Sequence, residues 1–149
     1  MEHGARLGAT ALLHGGDEVH PSLLLKLARF DLDLHVVHGN NPTEPEALAA
    51  LADSGYPRLH YYGVEARFLL AGRSIDMTHI PARCKAAVAE GEFDVACCGH
   101  EHTVSITPMI HAKGGTTWLV NPGAVGALGR PSTYVLGDLE KMTFDVYYP

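Results

Sequence analysis

The sequence contains few cysteines and no apolar run long enough to cross a membrane. Its 149 residues include 3 cysteines, and an odd number with two adjacent members does not suggest a disulfide framework. Buried free thiols are the expected role for such residues. The N-terminus also lacks a basic segment followed by a long apolar stretch, which is the pattern of a secretory signal. We therefore expect a cytoplasmic protein without membrane segments.

Positive charge is also scarce. Lys and Arg total 11 against 17 Asp and Glu, which gives a formal net charge of -6. This balance argues against nonspecific binding to nucleic acid or to an anionic membrane. The apolar fraction of 46 % and the charged fraction of 19 % are those of a globular protein. A chain of this length can bury a core, so we predict a single domain over residues 1–149.

Strand and helix patterns alternate in the N-terminal half. Apolar runs predict strands at 10–13, 33–38, 58–62, 65–70, 74–77 and 95–98. Helices are predicted from His20, from Thr43 and from Ala82, the second with the capping-box spacing of Thr43 and Glu46. From Val104 onwards the pattern predicts strands alone. This order favours two packed sheets with helices outside.

Two histidines follow the short apolar strand at 95–98. Gly99 ends the strand, and His100 and His102 come next, two positions apart. Alternate side chains of an extended segment point the same way, so the two imidazoles can approach one ion or two adjacent ions. Neutral imidazole is the commonest protein metal ligand near neutral pH. A pair of solvated surface histidines is the alternative for an isolated His-x-His, and other ligands in the chain decide between the two.

Polar residues that suit a metal also follow other predicted strands. The full set is Asp17, Asn40, His79, His100 and His102. In layered α/β folds, sites form at the carboxyl ends of strands. One carboxylate, one amide oxygen and three imidazoles suit Mn, Zn, Ni, Co or Fe better than a Ca or Mg cage. A carboxylate can bridge two ions, and such a pair of ions polarises a phosphate and activates a water.

Five short motifs occur in an order that is typical of one enzyme family. They are His14-Gly15-Gly16-Asp17, Gly39-Asn40-Asn41, Thr78-His79, Gly99-His100-Glu101-His102 and Asn121-Pro122-Gly123. From about Thr10 onwards the chain resembles the calcineurin-like metallophosphoesterases, and most closely their small bacterial and archaeal phosphodiesterase branch. The resemblance implies an α/β fold, a four-layer α/β/β/α sandwich of two mixed sheets flanked by helices.

The resemblance also implies a role for each matching residue. Asp17 would bridge two metal ions, Asn40, His79 and His100 would complete the shell of the second ion, and His102 would bind the first. The implied activity is hydrolysis of a phosphate ester, with in-line attack on phosphorus by hydroxide held between the ions. One or two divalent transition-metal ions are expected, manganese first, with nickel, zinc, cobalt or iron as alternatives.

Two further residues are predicted to act on the substrate. Asn41 stands where many relatives have a general-acid histidine, and a carboxamide does not deliver a proton at ordinary pH. The small branch also has asparagine there, which fits diesters with acidic leaving groups. His20 is predicted to contact substrate or water, and Pro42 replaces an acidic residue that is usual in the family. The expected partner is a small phosphodiester or nucleotide-like substrate, with no stable nucleic-acid partner and no membrane, and homo-oligomerisation stays open.

The chain lacks one element of the family. Relatives begin with a strand that ends in Asp-x-His, and both residues bind the first metal. No such strand is present here, and His3 lies too close to Asp17 in sequence to replace it. Residues 5–8 resemble the end of a helix, with Gly8 just past it. Three explanations are open: a true start upstream of Met1, a second copy that fills the gap, or a relative that is weakly active or inactive.

Two other functions compete with hydrolysis. The missing Asp-x-His motif favours a binding scaffold, since the small scaffold subunit of the retromer coat shares this fold with an altered site. The complete ligand set for the second metal disfavours that interpretation. A redox or metal-sensing role for Cys97 and Cys98 is weaker, because adjacent residues of a strand point to opposite faces and make a poor chelate.

Overall fold

The computed structural model describes residues 2–18, 22–27, 30–126 and 129–149. The helices are α1 (Glu2–Arg6), α2 (Ser22–Leu27), α3 (Glu44–Asp53) and α4 (Pro81–Glu90). The strands are β1 (Ala11–His14), β2 (Asp33–Val36), β3 (Leu59–Tyr61), β4 (Glu65–Leu70), β5 (Arg73–Thr78), β6 (Val95–Cys97), β7 (Val104–Ile110), β8 (Thr116–Pro122), β9 (Tyr134–Asp138) and β10 (Thr143–Tyr147). Within these ranges, none of the helices has the length and apolarity that a membrane crossing needs.

The first sheet contains three parallel strands in the order β1-β2-β3. Leu12 pairs with Leu34, and Leu34 with Leu59, so the strands are in close register. The helices α2 and α3 follow β1 and β2 and cover one face of this sheet. Leu24 of α2 and Leu48 of α3 are buried there in one cluster with Leu34. Parallel strands need such crossover helices, and this packing explains the alternation in the sequence.

The second sheet contains five strands of mixed direction in the order β4-β5-β6-β8-β7. Its outer face is covered by α4, whose Cys84 and Val88 are buried against Ala96 and Cys98. The helix ends at Gly91, which has a left-handed backbone (φ 66°). Glycine adopts that conformation without steric cost, so Gly91 ends α4 after Glu90.

The inner faces of the two sheets meet in a shared apolar core. Val37 beside the first sheet packs with Met77 of β5, and Ile75 packs with Val95 and Val120. Because side chains alternate along a strand, Ile75 and Met77 face this core while Asp76 turns toward α4. The layers are therefore helices, first sheet, second sheet and α4. The predicted four-layer α/β/β/α sandwich is confirmed.

The first layer differs in one respect from the expectation of two mixed sheets. The antiparallel hairpin of β9 and β10 packs on the same inner core through Val135 and Phe144. Among the described residues, however, no ladder joins this hairpin to β1. The first layer is thus in two pieces, with three parallel strands on one side and a two-stranded hairpin on the other.

The adjacent cysteines point to opposite faces of β6, as the sequence predicts. Cys97 packs between the sheets with Leu13 and Phe68, whereas Cys98 lies under α4 with Cys84. Burial raises the pKa of Cys97 to about 12. A thiol with such a pKa is a poor nucleophile and metal ligand, so Cys97 serves the core.

Asp76 is a charged residue within the core under α4. Its side chain is 1 % exposed, and neither carboxyl oxygen has a hydrogen-bond partner. The guanidinium Nε of Arg67 lies 3.4 Å from Oδ1. Burial raises the pKa of Asp76 to about 6, with a further contribution from the negative charge of Glu65. The folded state therefore favours the protonated, neutral carboxyl of Asp76. Because this carboxyl ionises as the pH rises through about 6, the free energy of unfolding falls over that range.

We expect Asp76→Asn to remove this pH dependence. Relative to the unmodified protein, the variant should gain up to roughly 3 kcal/mol in free energy of unfolding between about pH 4 and pH 7, since one pKa unit corresponds to about 1.4 kcal/mol. Urea denaturation at several pH values measures the difference.

Asp138→Asn is the matched control for this experiment. Asp138 is an exposed carboxylate whose pKa is lowered by its hydrogen bond from Lys141. Relative to the unmodified protein, the free energy of unfolding of Asp138→Asn should fall as the pH rises. This is the opposite of the change expected for Asp76→Asn. If Asp76→Asn changed the free energy of unfolding by the same amount at both ends of the pH range, the buried carboxyl would not be the cause of the pH dependence.

Candidate metal centre

Four loops bring polar side chains together at one edge of the sandwich. Asp17 lies just beyond β1, Asn40 just beyond β2, His79 directly after β5 and His100 just beyond β6. The strands β1 and β2 are parallel to each other, as are β5 and β6. The carboxyl ends of parallel strands meet at the same edge of a sheet, and here both sheets contribute. Side chains that are distant in sequence therefore share one site.

Four ligand atoms converge, and each lies within 3.3 Å of the Nε2 of His79 or is that atom itself. Asn40 Oδ1 lies 3.0 Å from both His79 Nε2 and His100 Nδ1. The two ring nitrogens are 3.1 Å apart, and Asp17 Oδ2 lies 3.3 Å from His79 Nε2. Metal–nitrogen bonds of about 2.0–2.1 Å place neighbouring ligand atoms about 3 Å apart. The spacing therefore suits one transition-metal ion.

The hydrogen bonds of His79 fix which of its nitrogens is available. The ring is 3 % exposed, and Nδ1 donates to the carbonyl oxygen of Gly15 at 2.7 Å. A neutral ring with its proton on Nδ1 presents a lone pair on Nε2, which is the common arrangement of metal-binding histidines. Asn40 Oδ1 and Asp17 Oδ2 are acceptors as well. A cation would satisfy these converging lone pairs, so the donor set fits a metal.

Backbone strain is concentrated at the predicted ligands. Asp17 (φ 61°), His100 (φ 68°) and His102 (φ 52°) all have left-handed backbones. Non-glycine residues adopt this region rarely, and such strain clusters at functional sites where the surroundings enforce it. The left-handed backbones of His100 and His102 also contradict one expectation from the sequence. The segment after β6 is not extended, so the side chains of His100 and His102 do not follow the two-residue alternation of a strand.

Glycines allow the first two loops to approach each other closely. A Cβ at Gly16 would lie 2.5 Å from the backbone nitrogen of Gly39. A Cβ at Gly39 would lie 2.5 Å from the backbone nitrogen of Asp17 and closer still to its carboxylate. Both distances are below van der Waals contact. The ligand loops can touch here because neither glycine has a side chain.

Glu44 holds the two loops together, and the sequence analysis missed it. The side chain is 1 % exposed at the start of α3. Its Oε2 accepts hydrogen bonds from the backbone N–H groups of Asp17 (3.0 Å) and Gly39 (2.9 Å), and Oε1 accepts one from Glu18 (2.7 Å). An acidic residue two positions after Pro42 thus supplies a carboxylate to this loop. The predicted capping box is wrong, because Thr43 makes no side-chain cap.

The Asp17 carboxylate is also held by the second loop. Its Oδ1 accepts hydrogen bonds from the backbone N–H groups of Asn40 (2.9 Å) and Asn41 (3.3 Å). These bonds leave Oδ2 directed at His79. On the other side of the site, buried Asn121 donates from Nδ2 to the carbonyl oxygen of Gly99 at 2.8 Å. The ligands are therefore positioned by hydrogen bonds from several elements.

The sequence matches the model of the calcineurin-like phosphoesterase superfamily domain over residues 1–142. The chain belongs to this superfamily. Its fold is similar to that of a novel archaeal phosphodiesterase, with 19 % identity, 99 % of this chain and 88 % of that chain covered, and a TM-score of 0.84. No curated protein matches the sequence.

Two further solved structures have the same fold at lower similarity. Yfce, a phosphoesterase from E. coli, is 17 % identical over 99 % of this chain and 88 % of its own, with a TM-score of 0.58. Vacuolar Protein Sorting 29 from Cryptosporidium parvum is 16 % identical over 94 % of this chain and 80 % of its own, with a TM-score of 0.56. The chain therefore shares its fold with both proteins.

The superfamily fold brings together most of the predicted ligands. Asp17, His79 and His100 form a group that could hold a metal ion, and the amide oxygen of Asn40 completes it. The ring of His102 does not belong to this group among the described residues. Its role as a ligand of a first ion stays a prediction. His20 lies outside the described residues, and its predicted contact with substrate or water stays a prediction too.

The Asn41 side chain is occupied within its own loop. Its Oδ1 accepts hydrogen bonds from the backbone N–H and the hydroxyl of Thr43, at 3.3 and 3.1 Å. This arrangement is an Asx turn that leads into α3. The predicted contact of Asn41 with substrate stays a prediction. Its backbone N–H donates a hydrogen bond to the carboxylate of Asp17.

We expect Glu44→Gln to loosen the metal centre. The amide would turn a donor group toward backbone N–H groups, leaving at least one of them unsatisfied in a buried place, which typically costs about 1–3 kcal/mol. The free energy of unfolding in urea should fall by that amount, and manganese affinity measured by calorimetry should fall with it.

Glu46→Gln is the control, because Glu46 lies exposed in the same first turn of α3. It should change neither the free energy of unfolding nor the manganese affinity. If both substitutions lowered the free energy of unfolding and the manganese affinity equally, negative charge at the start of the helix would stabilise the loops, and not the hydrogen bonds that Glu44 accepts.

Proposed function

We propose that this protein is a metal-dependent phosphodiesterase that hydrolyses a small phosphodiester. The observation that supports this most directly is the convergence of Asp17, Asn40, His79 and His100 on one ion-sized point. The phosphoesterase superfamily fold supports it independently. The manganese requirement, the nucleotide-like substrate and the cytoplasmic location are parts of the same proposal.

The four residues would hold one divalent transition-metal ion. A carboxylate, an amide oxygen and two imidazoles form a mixed nitrogen and oxygen set that suits manganese, zinc, nickel, cobalt or iron. When bound, the ion supplies Lewis-acid polarisation of a phosphoryl oxygen and activation of a water. These four residues correspond to the second ion of the family's pair, and we propose His102, two residues after His100, as a ligand of the first ion.

The chain's own groups would admit the substrate to the ligands, hold a ligand in place and limit which leaving groups can depart. His100 is exposed and Asp17 is partly exposed, so a phosphate group from solvent can approach the ligands. Two N–H groups hold Asp17 in a fixed orientation, which reduces the rearrangement that the reaction requires. Asn41 cannot protonate a leaving group. We therefore propose substrates whose leaving oxygen is acidic.

His79→Ala should abolish both metal binding and hydrolysis. Removal of a buried ligand should lower manganese-dependent cleavage of bis(4-nitrophenyl) phosphate by at least about 100-fold, since even groups that only support ligands cost 10–100-fold. Metal content per chain by elemental analysis should fall from one or two ions toward none. Circular dichroism confirms that the variant stays folded.

His60→Ala is the matched control. His60 is a half-exposed strand residue that pairs with Asp33 and lies outside the ligand group. The variant should retain both the metal and the activity. An unmodified protein that binds no ion, even with added manganese, would contradict the proposed hydrolase.

A binding scaffold is the second candidate function, favoured by the structural similarity to Vacuolar Protein Sorting 29. Large apolar side chains are exposed at both edges of the second sheet, with Leu69 on β4 at 76 % and Ile110 on β7 at 82 %. Exposed apolar groups of this kind suit contacts with other proteins. Metal binding without cleavage of any diester would support the scaffold over the enzyme.

A further inference from the structure

Two cysteine side chains face each other beneath α4. Cys84 of α4 is fully buried, and Cys98, directly after β6, is 3 % exposed. Both belong to one cluster with Val88 and Ala96, and the Cys84 thiol donates a hydrogen bond to the sulfur of Cys98. Both cysteines are free. This pair differs from the adjacent Cys97 and Cys98, whose side chains point to opposite faces of the sheet.

The pair lies between two segments that carry predicted metal ligands. The helix α4 begins two residues after His79, and Cys84 lies near its start. Cys98 lies two residues before His100. The two segments are also hydrogen-bonded to each other, since the backbone N–H of Gly99 donates to the carbonyl oxygen of His79 at 3.1 Å. A covalent bond between the two sulfurs would therefore join the helix that follows His79 to the loop that carries His100.

The packing of α4 on the sheet is weak enough for the thiols to become exposed. The buried residues of the helix are Cys84, Ala87 and Val88, and small side chains contribute little apolar burial. On the face of β5 beneath the helix, the side-chain oxygens of Asp76 and Thr78 have no hydrogen-bond partner among the described residues. Such groups oppose the packing that buries them. Elements with few apolar contacts open locally at the lowest cost, so we expect α4 to admit small solutes.

We propose that Cys84 and Cys98 form a reversible disulfide on reaction with hydrogen peroxide, and that this bond weakens metal binding at the neighbouring centre. One thiol attacks the peroxide, the O–O bond breaks, and a sulfenic acid and one water form. The other thiol attacks the sulfenic sulfur, the S–S bond forms and a second water leaves. The two sulfurs together lose two electrons, which reduce the peroxide, and the two thiol protons leave in the waters.

The disulfide requires a rearrangement next to the ligands. An S–S bond of about 2.0 Å is much shorter than the contact between two unbonded sulfurs, so one backbone must move toward the other. The backbone of Cys98 is held in the sheet, because its N–H donates to the carbonyl oxygen of Val120 at 2.9 Å. The start of α4 must therefore shift, and His79 lies directly before it. His79 Nε2 and His100 Nδ1 are 3.1 Å apart, a spacing that such a shift would change.

Intact mass and thiol titration test the disulfide without any metal. Treatment with hydrogen peroxide in the presence of a chelator should lower the mass by about 2 Da, and dithiothreitol should restore it. Of the three free thiols, only that of Cys97 should still react with an alkylating agent after denaturation. Cys97→Ala is the matched control, because it retains only the proposed pair. It should also lose about 2 Da and should retain no reactive thiol.

Calorimetry with manganese tests the effect on the metal centre. This effect rests on the proposed function, whereas formation of the disulfide does not. The oxidised protein should bind manganese at least about 10-fold more weakly than the reduced protein, since the loss of groups that support ligands typically costs 10–100-fold. Cys84→Ala, treated in the same way, should bind manganese equally before and after treatment.

Three outcomes would overturn the proposal. They are three reactive thiols after treatment, a gain of oxygen without a cross-link in Cys97→Ala, and equal manganese affinities of the oxidised and reduced proteins. If Cys84→Ala does not fold, a tryptic map of the unmodified protein decides, because cleavage after Arg83 and Lys85 releases Cys84 in a fragment that should be linked to residues 86–113. A reduced protein that binds no manganese would contradict the proposed function and the effect on the metal, whereas the mass would still decide the disulfide.

Discussion

The metal centre depends on one buried carboxylate. Glu44 accepts three backbone N–H groups from two loops, and each of these loops carries a predicted ligand. A buried negative charge is costly unless it is fully hydrogen-bonded, and here each oxygen is bonded. The position at the start of α3 adds the favourable field of a helix N-terminus. This group therefore joins the loops of Asp17 and Asn40, in addition to the hydrogen bonds that the Asp17 carboxylate accepts from Asn40 and Asn41.

The same arrangement explains what local sequence patterns can and cannot predict. Asp17, Asn40, His79 and His100 were predictable because each directly follows a recognisable strand, and the ends of parallel strands meet. Glu44 was not, since its partners depend on the close approach of Gly16 to Gly39, which is a tertiary contact. An acidic residue at the start of a helix is common, and nothing in its neighbours distinguishes it.

The layers of the fold were predictable for a related reason. Alternation of strand and helix from β1 to β3 favours parallel strands with covering helices, so this part of the sandwich follows from local periodicity. The pairing of β8 between β6 and β7 does not follow, because ladder order is set by contacts between distant segments. The interruption beside β1 does not follow from local periodicity either; it was expected only from the resemblance, since the family's first strand is missing from the sequence.

Gly15 connects β1 to the metal centre. It directly follows β1, and its carbonyl oxygen accepts the hydrogen bond that fixes the proton of His79 on Nδ1. A Cβ at Gly15 would contact the backbone of Gly99, so this segment lies against the loop of His100 as well. Its position is therefore constrained from β1 and from both histidine loops. The position of β1 and the orientation of His79 are thus linked through one backbone carbonyl.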